Sequence, residues 1–367
     1  MKLNKRPRPR QVGVSFGFLP TGPNNAITDV AGVKVGQVTL NYGSGLRTPG
    51  FGPVRTGVTA ILPHDRDIFE EKPTAAVHVI NGFGKSIGLA QIEELGSLET
   101  PILLTNTLNV GLAADALIGW MIDKNENIRS LNPMVGECND SALNDIQGRH
   151  VQKHHVYQAL NEAQAGPVLE GAVGGGTGMS CLGFKGGIGT SSRVLPEDKG
   201  GFTLGLLVMA NFGRRHDLLI SGVPVGRQLI NWPETEHPGD GSIMMVLATD
   251  APLTSRQLKR VAKRCTFGLS RTGSVASHGS GDFVVAFSTT NIKENKPQEI
   301  TSKVERVNED GAVMTALFDA TVEATEEAII NALFAAETTI GCDDTIRHGL
   351  PIEEVLEILK KYNRISD

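Results

Sequence analysis

Forty-three glycines in 367 residues, set beside short apolar runs, constrain this chain more than any other feature. An average chain carries ~7% glycine, so the excess marks many tight turns and close backbone approaches. The runs they bracket are Gly57–Leu62, Thr74–Ile80, Pro101–Asn106, Val168–Val173, Phe202–Ala210, Ile243–Ala248 and Phe283–Ser288. Several are nearly continuous in apolar residues, the pattern of strands covered on both faces. Helical patterns alternate with them over Lys85–Leu95, Val110–Asp123, Thr325–Glu337 and Pro351–Tyr362. A further helix begins near Thr254, where Thr-Ser-Arg-Gln reads as a capping box. Leu258, Val261, Ala262 and Cys265 follow it at helical spacing, so its apolar stripe should face a sheet. The mixture predicts helices layered over sheet in an α/β or α+β arrangement. No internal repeat divides the chain.

Lys and Arg number 35 against 40 Asp and Glu, a net charge of −5. That balance argues against nucleic-acid binding and against an anionic membrane surface, both of which need clustered positive charge. The exception is Lys2, Lys5, Arg6, Arg8 and Arg10, interrupted by Pro7 and Pro9; it reads as a solvated, extended arm. No apolar stretch approaches the ~20 residues of a membrane span. Gln11, Gly13, Ser15 and Gly17 break up any secretory apolar core, so the expected compartment is the cytoplasm. Cys138, Cys181, Cys265 and Cys342 lie far apart without a CxxC pair, which predicts buried reduced thiols and no structural zinc.

Most motif readings fail on spacing. Asn81-Gly-Phe-Gly-Lys-Ser86 follows a strand, but Val79 and Ile87 stand where nucleotide-loop patterns want glycine. It reads as a tight strand–helix turn. Gly174-Gly-Gly-Thr-Gly-Met-Ser180 lacks a Walker lysine, although its main-chain N–H groups could approach an anion or a peptide. His154-His155 has no HExxH context, which argues against a catalytic metal. No GxSxG elbow is present. His278 beside Gly279-Ser280 does not by itself make a triad.

One serine has an unusual context. The polar stretch Asn231–Asp240, with two prolines, reads as an exposed loop, and it ends at Gly241-Ser242 where an apolar strand begins. A glycine there permits a strained carbonyl, which the Ser242 hydroxyl can attack. An N→O acyl shift and hydrolysis would leave Ser242 at a new N-terminus. Its α-amine, with an ordinary pKa of ~7.7–8.0, can then serve as base for its own hydroxyl.

Several stretches, in order, carry a family resemblance. They are Asn25-Ala-Ile-Thr-Asp-Val-Ala-Gly-Val-Lys-Val-Gly36, Arg55-Thr-Gly-Val-Thr-Ala60, Asn81-Gly-Phe-Gly-Lys85 and Thr105-Asn-Thr107. Gly136-Glu137 with Leu143-Asn-Asp145, and Gly174-Gly-Gly-Thr-Gly178, come next. Met209-Ala-Asn-Phe-Gly213, Asp240-Gly-Ser-Ile243 with Ala248-Thr-Asp250, and Ser280-Gly-Asp282 complete the set. Together they resemble the DmpA family of self-processing aminopeptidases, which includes the β-peptidyl aminopeptidases.

The resemblance implies an α+β fold, a four-layer αββα sandwich like that of N-terminal-nucleophile hydrolases but differently connected. It implies one domain over 1–367, autocleaved at Gly241–Ser242 into an α chain of 1–241 and a β chain of 242–367. By the same carry-over Ser242 is the nucleophile, and Ser280 and Asp282 orient it and its amine. Asn211 donates to the oxyanion, and Glu137 anchors the cationic N-terminus of the substrate. No metal and no cofactor is implied. The expected substrate is a short peptide, amide or ester, and the expected assembly a homo-oligomer, a tetramer of α/β units. Relatives carry tyrosine where Ala142 stands in Ser141-Ala-Leu-Asn-Asp145, so the oxyanion hole or pocket must differ there. Two alternatives accompany this reading. One is an acyltransferase passing the same acyl group to an amine; the other is a non-catalytic protein binding a nucleotide through Gly82–Ser86.

Overall fold

The computed structural model describes residues 6–233, 241–309 and 311–365. Among them, the longer strands in chain order are β1 (Lys34–Tyr42), β2 (Val54–Leu62), β3 (Glu71–Gly82), β4 (Ile102–Asn106) and β5 (Met134–Cys138). They continue as β6 (Gly187–Val194), β7 (Thr203–Asn211), β8 (Ser242–Thr249) and β9 (Gly281–Glu294). The main helices are α1 (Leu89–Leu95), α2 (Val110–Lys124), α3 (Lys153–Asn161) and α4 (Ser255–Ala262). After them come α5 (Cys265–Arg271), α6 (Ala312–Ala335) and α7 (Ile352–Lys361).

Two large sheets form, in the orders β1-β2-β4-β5 and β3-β9-β8-β7-β6, beside two short two-stranded ones. Alternation along β8 shows how they stack. Met244, Val246 and Ala248 join a core shared with Ile102 and Leu104 of the other sheet. Ile243, Met245 and Leu247 point the opposite way, onto Leu258, Val261 and Leu317 of α4 and α6. A third core packs Val58 and Leu103 against α2 and α3. Helices, sheet, sheet and helices therefore make four layers, an α+β sandwich whose buried strands explain the unbroken apolar runs. Among the described residues no helix is long and apolar enough to cross a membrane.

The capping box holds: Thr254 Oγ1 accepts from the Gln257 N–H at 3.3 Å, and Gln257 Oε1 accepts from the Thr254 N–H at 3.0 Å. The helix expected from Lys85 starts only at Leu89, because Gly88 takes φ +94 and interrupts the turn. The helix expected over Thr325–Glu337 is the last part of a 24-residue helix, α6, which ends at Ala335. Val168–Val173 forms no strand, only an isolated bridge from Gly171 to Ile188. All four cysteines are buried and unpaired.

The described arginines of the basic arm are tied into the fold. Arg8 Nε donates to Glu170 at 2.6 Å, and Arg10 reaches both carboxylate oxygens of Glu327 at 2.7 Å. Arg6 donates to the carbonyls of Ala336 and Leu350. These partners are buried in the fold, so the charges are captured rather than hydrated. Lys2 and Lys5, and most of the Asn231–Asp240 stretch (residues 234–240), lie outside the described residues.

Candidate active site

Ser242 opens β8, a central strand, with Asn211 of β7 opposite it on one side and Gly281 of β9 on the other. Alternation turns its side chain toward the space between the sheets, as it does that of Asn211, two residues after Met209. The serine is 6% exposed. Its Oγ accepts a hydrogen bond from the Gly281 N–H at 3.2 Å, and the same N–H donates to the Gly241 carbonyl at 3.1 Å. One donor thus spans the hydroxyl and the adjoining peptide carbonyl.

Glycine is needed at both neighbours for space. A Cβ on Gly241 would overlap the Asn211 carbonyl oxygen, and one on Gly281 would lie 2.7 Å from the Phe83 carbonyl oxygen. Gly241 is absent from the positive-φ glycines, so the strain expected at this carbonyl does not come from a left-handed backbone. Close approach is the reason for the residue.

Asn211 is held at both ends of its amide. Its Oδ1 accepts from the Ser180 N–H at 2.8 Å and its Nδ2 donates to the Asn139 carbonyl at 3.0 Å. Those partners fix which end is nitrogen. The second Nδ2 hydrogen remains for another acceptor.

Ser280 Oγ donates to Asp282 Oδ1 at 2.6 Å. Asp282 Oδ2 is buried without a partner among the described residues. Burial pushes this carboxyl up to about 6, against the hydrogen bonds from Ser280 and the Ile243 N–H. Asp282 is the register partner of Ile243, and the pair stands one step from Ser242. In the intact chain Ser280 therefore bonds to the acid, and the Ser242 hydroxyl to Gly281.

Glu137, on β5, is 2% exposed. Its Oε1 accepts from the Lys85 N–H at 3.0 Å and its Oε2 from the Thr107 hydroxyl. A Cβ on Gly84 would approach Glu137 Oε1 to 3.4 Å, and one on Gly281 would come 3.1 Å from Gly84 Cα. The Gly82–Ser86 turn thus lies between Glu137 and the start of β9. Two of its N–H groups are already engaged, Gly84 on the Gly82 carbonyl and Lys85 on Glu137. A buried carboxylate thus sits against this loop, which argues against a phosphate there.

The glycine-rich turn departs from expectation in the same way. The Gly174 and Gly175 N–H groups donate to Thr39 and Thr59 hydroxyls, and those of Gly176, Thr177 and Met179 to carbonyls of the same turn, so these five are engaged within the fold. Ala142 is exposed, on the turn that follows Asn139. Sequence reasoning missed Asn139 and Ser180, which orient Asn211 through main-chain atoms that no side-chain pattern reports. It also read Asn81 only as part of a turn. The Asn81 amide gathers the carbonyls of Ser277, His278 and Ser280, fixing the approach to the Ser280–Asp282 pair.

The model of peptidase family S58 matches residues 25–347 of this sequence. The chain belongs to peptidase family S58. A β-peptidyl aminopeptidase, BapA, of Sphingosinicella microcystinivorans is 45% identical over 98% of this chain and 93% of its own length. Among solved structures, the PH0078 protein of Pyrococcus horikoshii OT3 superposes with a TM-score of 0.93 at 50% identity. That match covers 98% of this chain and 100% of the other. The L-aminopeptidase D-Ala-esterase/amidase of Ochrobactrum anthropi, described as a variant of the N-terminal-nucleophile hydrolase fold, follows with a TM-score of 0.90. It is 40% identical, over 98% of this chain and 100% of its own. The S58 chain is a self-processing serine aminopeptidase, a hydrolase of peptide or amide bonds, on that fold.

Proposed function

We propose that Ser242 is the nucleophile, freed by cleavage of the Gly241–Ser242 bond into chains of 1–241 and 242–367. The observation that carries this reading is the single Gly281 N–H spanning Ser242 Oγ and the Gly241 carbonyl. It holds nucleophile and target on one donor and is positioned to receive charge on the carbonyl oxygen as Oγ adds to the carbon. Oγ–C bond formation followed by C–N scission passes the acyl group to oxygen and the proton to the departing Ser242 nitrogen. Water then hydrolyses the ester.

The freed amine takes the Ser242 hydroxyl proton when Oγ attacks a substrate carbonyl. The spare Nδ2 hydrogen of Asn211 receives the oxyanion, and the leaving amine departs protonated. Ser280 and Asp282 orient the new amine, whose ammonium form the carboxylate favours. Glu137 anchors the N-terminal ammonium of the substrate; its buried carboxylate is held by neutral donors and keeps lone pairs for a cation. That anchor makes the enzyme an aminopeptidase of short peptides, amides and esters. β-Amino-acid amides belong on the list, following the name of the Sphingosinicella relative.

The assembly we infer is a tetramer of processed units, supported by the family resemblance and by exposed Phe18, Leu46 and Phe51. The compartment we infer is the cytoplasm, in keeping with four unpaired cysteines. Hydrolysis of β-alanine p-nitroanilide and of its N-acetyl derivative tests the substrate assignment. The free amine should be cleaved and the acetylated form spared, with Glu137→Gln raising KM at least ten-fold. Equal cleavage of both forms would contradict the role of Glu137.

A further inference from the structure

Lys185 is fully buried, yet among the described residues it has no carboxylate within ion-pair distance. Its Nζ donates instead to three main-chain carbonyls, Gly176 at 3.2 Å, Met179 at 2.8 Å and Gly186 at 2.8 Å. An ammonium has three hydrogens to give and a neutral amine two, so this cage suits the charged form. Burial pulls the other way and lowers the group to about 7. Neighbouring Cys181 offers no thiolate, since burial pushes it up to about 12. Asp140, itself buried and raised to about 7, favours the charged form only at a distance, so a cation held directly by main-chain dipoles is expensive to keep and should have a purpose.

One of those carbonyls answers. The Met179 C=O and the Ser180 N–H belong to the same peptide group, and that N–H is the donor to Asn211 Oδ1 at 2.8 Å. The bond is trans, Gly52–Pro53 being the cis peptide of the described chain. In a trans peptide the two groups point in opposite directions. Lys185, helped by the Gly186 N–H at 2.9 Å, holds one end while Asn211 takes the other.

We propose that Lys185 is a positioning residue for Asn211, acting through the Met179–Ser180 peptide to aim and polarise the Asn211 amide. The chain runs from ammonium to carbonyl, from N–H to Oδ1, and from Nδ2–H to the reacting oxygen. Each conjugated amide passes polarisation on, so every donor along it is strengthened. This rests on the reading of Asn211 as the oxyanion donor.

Steady-state kinetics of Lys185→Met, Asn211→Ala and the double variant, each as processed enzyme, test it. Asn211→Ala checks the underlying reading alone: unchanged kcat there sinks that reading and the proposal with it. With Asn211→Ala impaired, Lys185→Met should lower kcat about ten-fold with KM within two-fold. The double variant should be no slower than Asn211→Ala. An unchanged kcat in folded Lys185→Met, or losses that multiply in the double variant, would overturn the proposal. Should Lys185→Met fail to fold, Lys185→Gln, which keeps two donors and no charge, is read the same way. Failure of both to fold would overturn the proposal, assigning Lys185 to the core alone.

Discussion

Two buried carboxylates, Glu327 on α6 and Asp282 at the start of β9, meet opposite treatment. Burial alone would push Glu327 up. The hydrogen bond from Arg10, the charges of Arg193 and Arg10, and the Asn25 amide outweigh it and hold the carboxyl below its ordinary range. Asp282 has Ser280 and one main-chain N–H, with Oδ2 unpartnered among the described residues, and sits at about 6. The first is a closed network that fastens the N-terminal arm and β6 to α6. The second is left incomplete beside Ser242, the proposed nucleophile, where the free amine of a cleaved Ser242 would arrive. An under-satisfied buried acid, set against a fully satisfied one elsewhere in the fold, marks where chemistry is held in reserve.

The sharpest way to break the comparison is Ser242→Ala, which removes the group that Asp282 is proposed to serve. It should abolish processing and lower amide hydrolysis by on the order of 10⁶, with the arm network untouched. Residual turnover near the wild-type rate would place the chemistry elsewhere. Arg193→Met attacks the closed network instead. Glu323 and Glu327 would lose the buried guanidinium that meets them at 2.9 and 2.7 Å. A cost of about 3–5 kcal/mol in stability is expected, with kcat per folded molecule unchanged; urea unfolding and active-site titration separate the two.

Asn211→Ala should lower kcat by ~10²–10³ with little change in melting temperature. A loss confined to KM would assign Asn211 to substrate binding. Asp282 supplies the subtlest test, through pH. Its folded value lies above the ordinary 3.8, so its protonated form is the one the fold favours. The stability it contributes is present in acid and is lost as pH rises through about 6. The rise from 3.8 to about 6 corresponds to about 3 kcal/mol at most. Asp282→Asn should therefore flatten the stability profile between pH 4 and 7; a profile parallel to wild type would contradict the shift.

The sequence made one half of this comparison legible. Ser242, Asn211 and the Ser280–Asp282 element stand in short local patterns, and strand alternation delivers them to neighbouring register positions. β2, β7 and β8 were likewise visible because their apolar runs are nearly unbroken. The closed network was not. Arg10 meets Glu327 across 317 residues, a distance at which a charge run reveals nothing of its partner. β6 escaped notice for the same reason, since Thr190, Ser191, Ser192 and Arg193 are polar yet fully buried and satisfied. Lys185 was hidden further still, because its effect passes through main-chain atoms.

The most direct test is a denaturing intact-mass spectrum of freshly purified protein. The whole chain is 39.1 kDa. Scaled by length, cleavage before Ser242 predicts pieces of roughly 25.7 and 13.4 kDa, the smaller beginning with the nucleophile. Both should vanish in Ser242→Ala. A single stable mass of 39.1 kDa in an active preparation, or a cut at any other bond, would contradict the account.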